Sequence, residues 1–275
     1  MIATIALLMG VLIPVLAKLR QRAFRTTCGT NLSFIGKAML IYSNDYGNQF
    51  PRAGGITSIW GSRIPDWQAD NRFGAYGLST SNGGRGGQAT VTSSFYLLVK
   101  YEEVTPQSFV CKGDPRTTEF KPAKYGVRDK GLIDLWDFGP EPEEHCSYSY
   151  HMPYGPYALT TSYPPGVAVA ADRNPWFQSP FAKARIFSKF DPNGTNEHIR
   201  NGNTIAHKGD GQNVLYVDGR VTFEKKSFCG INDDNIYTFL SGSDVRRGAP
   251  PILTSQPKSR VDSMLVNDPL VGYQK

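Results

Sequence analysis

The sequence lacks the residue patterns that identify the common classes of enzymes and metal proteins. Its four cysteines, Cys28, Cys111, Cys146 and Cys229, are widely spaced, and no pair has the CxxC or CxH spacing of a zinc site. It has no His-Glu-x-x-His, no P-loop, no Gly-x-Ser-x-Gly elbow and no Gly-x-Gly-x-x-Gly behind a strand. We therefore expect neither a cofactor nor an enzymatic activity.

A concentrated basic stripe is also missing. The net charge is +6, but lysines and arginines are scattered, and only Lys18, Arg20, Arg22 and Arg25 form a local group. Residues 83–87 contain one RGG-like fragment inside a Ser/Asn/Gly stretch, which is typical of a flexible loop. Without a recognisable nucleic-acid-binding module, the sequence predicts no nucleic-acid partner.

Charge is absent from the first 17 residues, and basic residues follow at once from Lys18. As a helix this run spans about 25 Å, somewhat less than the ~30 Å hydrocarbon core of a bilayer. A secretory signal peptide would carry its charges before the apolar run, and a buried soluble helix would keep a polar face. The pattern favours the transmembrane half of a helix over residues 1–17.

The helix is predicted to continue as an amphipathic segment over residues 18–47. Gly47 and Asn48 are a plausible stop. We expect residues 48–275 to form a single globular domain, rich in loops because the chain has 28 glycines and 19 prolines. Apolar residues recur at mostly helical steps at Leu19, Ala23, Phe24, Leu32, Ile35, Met39, Tyr42 and Tyr46.

The body contains one clear hairpin pattern, over residues 213–224. Two β-branched and aromatic runs flank Asp218-Gly219, a dipeptide suited to a type I′ turn. Residues 166–171 predict another strand, and residues 94–100 predict either a helical turn or a strand. The expected fold class is α+β, with the long N-terminal helix packed on an antiparallel sheet that carries long Gly/Pro-rich loops.

Several polar residues are candidates for acid–base or metal chemistry: Asp172, His207, Asp210 and Asp218 would form a metal site if they converged. We expect instead that His207 hydrogen-bonds backbone groups near the hairpin and that Asp218 forms the turn. Residues 191–197 resemble the start of a calcium loop but lack its closing Glu, which favours a turn. The aromatic stretch 145–157 is either a ligand-contacting surface or loop packing against the sheet.

Five motifs with recognisable spacing follow one another along the chain. The apolar helix contains Pro14, and RTTCGTNLSFIGKA at 25–38 is similar to a C-x-x-N-L-x-x-I-G-x-A helix that includes Cys28, Asn31 and Gly36. The helix exit YSNDYGNQFP at 42–51 is similar to a Y…G…F-P pattern. The stretch FVCKGDP at 109–115 resembles F-x-C-P-x-D-P, and HKGDGQNVLYVDG at 207–219 resembles a His…Asp-Gly motif.

These motifs resemble the H-X9-DG pilin-like family (DUF1559) of planctomycete-type bacteria, related to type IV pilins and type II secretion pseudopilins. The resemblance reaches about Phe223. It implies a single-pass inner-membrane protein with an extracytoplasmic body, in contact with membrane lipid and with other pilin-like or secretion-system subunits. It assigns motif positions to Pro14, Cys28, Asn31, Gly36, Cys111, Asp114, Asp172, His207, Asn213, Asp218 and Gly219.

Two departures from the family pattern bear on these expectations. No Gly-Phe-Thr-Leu-x-Glu prepilin signal precedes the apolar run, so the chain begins about eight residues inside the family's helix, by a late start codon or by loss of processing. Ten residues rather than nine separate His207 from Asp218, which predicts a bulge or longer turn before the strand. The basic residues after the apolar run favour a cytoplasmic body by the positive-inside rule, but we follow the family orientation because the leader is missing.

The cysteines leave two possibilities open, buried free thiols or two disulfides in one of three pairings. Cys28 and Cys111 match family positions, whereas Cys146 and Cys229 are additions, which suggests the hypothesis of a Cys146–Cys229 bridge. The expected function is structural, as a subunit or accessory of a type II secretion or pilus-like apparatus. The alternative is a membrane-tethered module that binds extracellular polysaccharide or metal.

Overall fold

The computed structural model describes residues 2–114, 117–177 and 183–269. In the first helical turns it describes the backbone, with side chains described at Ile13 and from Val15 onward. The Pro14 side chain therefore lies outside the described part, although its backbone is helical.

One helix, α1 (Ile2–Asp45), makes up the start of the chain. Arg25 contacts the body through its carbonyl, which accepts from Asn213 Nδ2. The buried positions begin at Cys28 and follow at helical spacing: Cys28, Leu32, Ile35, Met39 and Tyr42. Leu19 and Tyr46, at the ends of the predicted face, are exposed. Gly47 and Asn48 have φ angles of 64° and 63°, and this left-handed backbone ends the helix as predicted.

The second half of α1 packs on a five-stranded antiparallel sheet, which confirms the predicted α+β class. The strands are β3 (Tyr148–His151), β4 (Ala168–Asp172), β5 (Gln212–Tyr216), β6 (Val221–Glu224) and β7 (Leu265–Val266). Their order across the sheet is β6-β5-β4-β3-β7. A separate two-stranded parallel pair joins β1 (Ile59–Trp60) to β2 (Gln88–Ala89).

Both faces of the sheet are covered. Leu215 of β5 belongs to the main core with α1 and the aromatic loops, whereas its neighbours Val214 and Tyr216 pack with Tyr237 on the other face. This alternation follows from the two-residue period of a strand. Because both faces of the sheet are covered, every residue of the mostly apolar strand β4 is buried.

The described residues of the body contain three further α-helices: α2 (Arg72–Tyr76), α3 (Val91–Tyr101) and α4 (Asn196–Arg200). The stretch 94–100, open between helix and strand in the sequence, lies in α3. Thr90 and Ser93 form a reciprocal capping box at its start, which satisfies backbone groups that a strand would leave for a neighbouring strand. α3 packs against α1.

The hairpin β5–β6 is confirmed, but its predicted type I′ turn is wrong. Gly219 N–H donates to the Tyr216 carbonyl, and Tyr216 N–H donates to the Arg220 carbonyl. Only Gly219 in this turn has a positive φ, 81°, so the loop 217–219 is a type I turn followed by a glycine bulge. Asp218 keeps an ordinary backbone and accepts from Arg220 N–H, which supports its predicted role as a turn former.

Among the described residues, no helix combines the length and the hydropathy that a membrane crossing requires.

Candidate functional site at the junction of helix and sheet

Residues from four separate segments meet beneath α1. Cys28 comes from the helix, Cys111 from the loop after a short 3-10 turn (Pro106–Phe109), Asp172 from the end of β4 and His207 from the turn before β5. Cys28 and Cys111 form a disulfide across 83 residues of sequence. The four side chains are fully buried. Four of the predicted motif positions are therefore brought together at this junction.

A buried histidine–carboxylate pair lies next to the disulfide. The Nε2 atom of His207 lies 3.0 Å from Oδ2 of Asp172. Asn213 donates to the same carboxylate oxygen, from its backbone N–H at 2.6 Å and from Nδ2 at 3.1 Å. Its Nδ2 also lies 3.2 Å from the Arg25 carbonyl, so this one amide joins β4, β5 and α1. The arrangement supplies donors to a carboxylate that has no access to water.

The prediction that His207 bonds backbone groups is therefore wrong, because a buried carboxylate needs donors and the imidazole is placed to supply one. The predicted longer turn after His207 is present. Lys208 and Gly209 adopt positive φ angles of 58° and 74°, and Gly211 has φ 147° before β5 begins.

The other candidate carboxylates do not converge on His207. Asp210 lies at the surface and pairs with Arg25 and with Arg200, the latter at 2.7 Å. Asp218 lies at the hairpin turn and pairs with Arg220 at 3.2 Å. The predicted four-residue set is thus reduced to Asp172 with His207, while the two cysteines take the remaining places around the pair.

Two more motif residues hold the Cys111 loop in place. Asn31 Nδ2 donates to the Val110 carbonyl at 3.1 Å and so fastens the loop to α1. Asp114 accepts from Arg173 Nε at 3.0 Å and from Thr117 Oγ1 at 2.9 Å. Arg173, which sequence reasoning did not single out, also donates to the Glu143 carbonyl at 3.0 Å.

Gly36 has a packing role in α1. A Cβ at this position would lie 2.6 Å from Cδ1 of Leu215, so the absence of a side chain lets the helix approach β5 closely.

Phe223 and Arg25 cover the outer edge of the site. The His207 and Phe223 rings are 5.9 Å apart, and the Arg25 guanidinium lies 4.6 Å from the Phe223 ring.

The predicted Cys146–Cys229 bridge is wrong, because both residues are free thiols. They flank β3 and β6, which are separated by two intervening strands, or roughly 14 Å at ~4.8 Å per strand. A disulfide requires Cα atoms within about 7 Å. Burial raises the pKa of the Cys146 thiol to about 12, which keeps it protonated.

Two other stretches, 145–157 and 191–197, had more than one interpretation in the sequence, and the structure favours packing and a turn. Residues 145–154 of the aromatic stretch are buried and pack in the core, whereas residues 155–157 at its end are not buried. His145 accepts from the Tyr125 hydroxyl at 2.6 Å, and burial lowers its pKa. Residues 191–194 form a turn in which Asp191 accepts from Asn193 N–H.

Sequence reasoning missed a further buried pair of carboxyl groups, Asp137 and Asp268, which lies at the start of α3.

No family model, curated protein or solved structure matches this chain.

Proposed function

We propose that this protein is a structural, pseudopilin-like envelope protein, acting as a subunit or accessory of a type II secretion or type IV pilus-like apparatus. The observation that carries the proposal is the division of α1 into two parts. From Cys28 the helix is fastened to the body by the disulfide, by Asn31 and by the close approach at Gly36. Nearer the start of the helix, the apolar side chains that the structure describes at positions 13, 15, 16 and 19 are exposed.

The uncovered part is apolar enough to need a partner. Ile13, Val15, Leu16 and Leu19 are 64%, 48%, 60% and 52% exposed. Consecutive exposed apolar residues on a helix mark a membrane or protein contact. Membrane lipid and the helices of other pilin-like subunits are the two partners that the proposal assigns to this part. The disulfide is consistent with an extracytoplasmic body, since disulfides persist in oxidising compartments.

The membrane part of the proposal is tested with one substitution and a matched control. Ile13→Asp places a charge in the apolar run, whereas Thr30→Asp places the same charge on an exposed helical position beside the body. We expect the wild type and Thr30→Asp to stay with alkali-washed membranes and Ile13→Asp to be released. Recovery of the wild type in the soluble fraction would contradict membrane anchoring.

Orientation and assembly need separate measurements. Protease added to intact spheroplasts should digest residues 48–275 if the body is extracytoplasmic, and should leave it intact if the body is cytoplasmic. Intact mass and N-terminal sequencing of the protein from its native membrane should reveal a processed, N-methylated residue if the chain is a prepilin product. An unprocessed Met1 would contradict membership of a filament.

A membrane-tethered polysaccharide-binding module is the second candidate, and one surface favours it. Tyr46 and Tyr101, 42% and 45% exposed, border a cleft of about 240 Å³ with Arg72 and Trp136. The Tyr42 and Tyr46 rings stack at 3.9 Å. Aromatic rings beside a charged donor suit the faces and hydroxyls of sugars. Saturable binding of a glycan that is lost in Tyr101→Ala would favour this function over a purely structural one.

A further inference from the structure

The buried junction has the composition of a transition-metal site. One ligand atom each from Cys28, Cys111, Asp172 and His207 lies within 4.8 Å of all the others. Two sulfurs, one imidazole nitrogen and one carboxylate oxygen form a donor set that suits Zn²⁺. The sequence did not predict it because the four ligands come from four distant segments and lack any local spacing.

The distances approach those of a tetrahedral ion. With Zn–N and Zn–O bonds near 2.0 Å and Zn–S bonds near 2.3 Å, ligand atoms lie roughly 3.3–3.8 Å apart. His207 Nε2 lies 3.0 Å from Asp172 Oδ2 and 3.9 Å from Cys111 Sγ. The main adjustment is between the sulfurs, which separate from ~2.05 Å in a disulfide to ~3.8 Å across the ion.

Polar atoms at the site are left without partners in the disulfide state. Within the described residues, Asp172 Oδ1 and His207 Nδ1 are buried and make no hydrogen bond. An unpaired buried carboxylate oxygen is costly, and a cation would satisfy it. The Gly113 N–H donates to Cys111 Sγ at 3.4 Å, and such a bond favours the thiolate form that a metal requires.

We propose that reduction of the Cys28–Cys111 disulfide converts this junction into a Zn²⁺ site with Cys28, Cys111, Asp172 and His207 as ligands. A phosphine reductant and water turn the disulfide into two thiols and a phosphine oxide. On binding Zn²⁺ the two thiols release two protons to the buffer. The imidazole proton moves from Nε2 to Nδ1, so that the Nε2 lone pair faces the ion.

With such a site, α1 stays attached to the body in both the oxidised and the reduced chain. In the oxidised chain a covalent bond joins the helix to the Cys111 loop. In the reduced chain the ion joins the same two cysteines and adds Asp172 of β4 and the turn before β5. This inference is independent of the structural function proposed above, because it depends only on the buried junction.

The test uses the full-length chain in detergent, reduced with tris(2-carboxyethyl)phosphine, freed of reductant under anaerobic conditions and titrated with Co²⁺. We expect about one Co²⁺ per chain, with visible bands of tetrahedral cobalt and a thiolate charge-transfer band, and displacement of Co²⁺ by Zn²⁺. The oxidised chain should bind none. If the reduced chain loses tertiary structure, Zn²⁺ should restore it.

Variants distinguish this site from other thiols. Asp172→Asn replaces the carboxylate ligand with a nearly isosteric amide, and His207→Ala removes the nitrogen ligand. Each variant should bind Co²⁺ at least ~10-fold more weakly than the wild type. The matched control, Cys146→Ala with Cys229→Ala, should bind Co²⁺ as the wild type does, because neither free cysteine belongs to the site. Circular dichroism of the oxidised variants checks that each is folded.

Three results would overturn the proposal. The first is a reduced wild-type chain that binds no Co²⁺ or is not restored by Zn²⁺. The second is binding that is unchanged in folded Asp172→Asn and His207→Ala. The third is binding that is lost in the Cys146 and Cys229 control, which would assign the metal to those thiols.

Discussion

The Nε2 atom of His207 lies 3.0 Å from Oδ2 of Asp172, and neither side chain is exposed to solvent. Removing one partner of such a pair leaves a buried group without its counterpart, which costs more than the pair itself contributes. We expect His207→Ala to lower the free energy of unfolding by about 3–5 kcal/mol. Urea denaturation of the oxidised full-length chain measures this loss.

The control for that prediction is an exposed ion pair. Lys121 and Glu119 lie 3.4 Å apart at the surface, where solvent screening leaves little net attraction. Lys121→Ala should therefore unfold near the wild-type urea concentration. If His207→Ala unfolds there too, the buried pair does not stabilise the fold.

The helix–sheet contact at Gly36 gives a second prediction. An alanine Cβ would lie 2.6 Å from Leu215 Cδ1. Overpacking of this kind costs about 1–3 kcal/mol, against a helix-propensity gain of about 1 kcal/mol. We expect Gly36→Ala to destabilise the protein, whereas Thr30→Ala on the exposed side of α1 should not.

A double-mutant cycle identifies the cause of that loss. Leu215→Val shortens the side chain that the new methyl group would meet. The loss in the double variant Gly36→Ala, Leu215→Val should be smaller than the sum of the two single losses, by about 0.5 kcal/mol or more. Strict additivity would mean that Gly36 is not needed for the approach to β5.

The hairpin turn supplies a third prediction, which distinguishes the observed type I turn with a glycine bulge from a type I′ turn. Gly219 has φ 81°, a conformation that costs other residues about 1–2 kcal/mol. Asp218 has no such requirement. Gly219→Ala should lower thermal stability because alanine disfavours this φ. Asp218→Gly should lower it as well, because glycine gives the unfolded chain more conformational freedom to lose on folding. A type I′ turn would instead make Asp218→Gly neutral or stabilising.

The parts of this structure that the sequence predicts are those with local patterns. The helical step of Leu32, Ile35 and Met39 and the Asp218-Gly219 dipeptide between two β-branched runs indicate their elements without any tertiary information. The end of α1 is equally local, since Gly47 and Asn48 supply the left-handed backbone.

The candidate site could be predicted only as separate residues. Cys28 and Cys111 are 83 residues apart, and Asp172 and His207 come together only because β4 pairs with β5. Side-chain partners set by strand order leave no spacing in the sequence. The same reason explains why Arg173 was missed, since its role depends on the loop that holds Asp114.

The acidic pair at the start of α3 gives the last prediction, a pH dependence of stability. Asp268 accepts from Val91 N–H at 2.7 Å and Thr92 N–H at 2.8 Å. Asp137, buried nearby, accepts from Thr90 Oγ1 at 2.5 Å. Burial, with the charge of Asp268 as the second cause, raises the pKa of Asp137 to about 8.

The sign follows from proton binding. The folded chain holds a proton on Asp137 up to about pH 8, whereas the unfolded chain releases it near pH 3.9. The stability that this group contributes is therefore fully present below about pH 4 and is lost as the pH rises to about 8. Asp137→Asn keeps the hydrogen-bonding shape and removes the titration, so it should reduce the fall in unfolding free energy between about pH 5 and about pH 9.

Part of the fall should remain in that variant, because burial raises the pKa of Asp234 to about 8 as well. Asp129→Asn, at an exposed position, is the control and should keep the wild-type pH profile. The measurement is the free energy of unfolding from urea titrations across this pH range. Equal slopes in the wild type and in Asp137→Asn would mean that the Asp137 carboxyl is already ionised in the folded protein, and that the hydroxyls of Thr90 and Thr92 compensate for its burial.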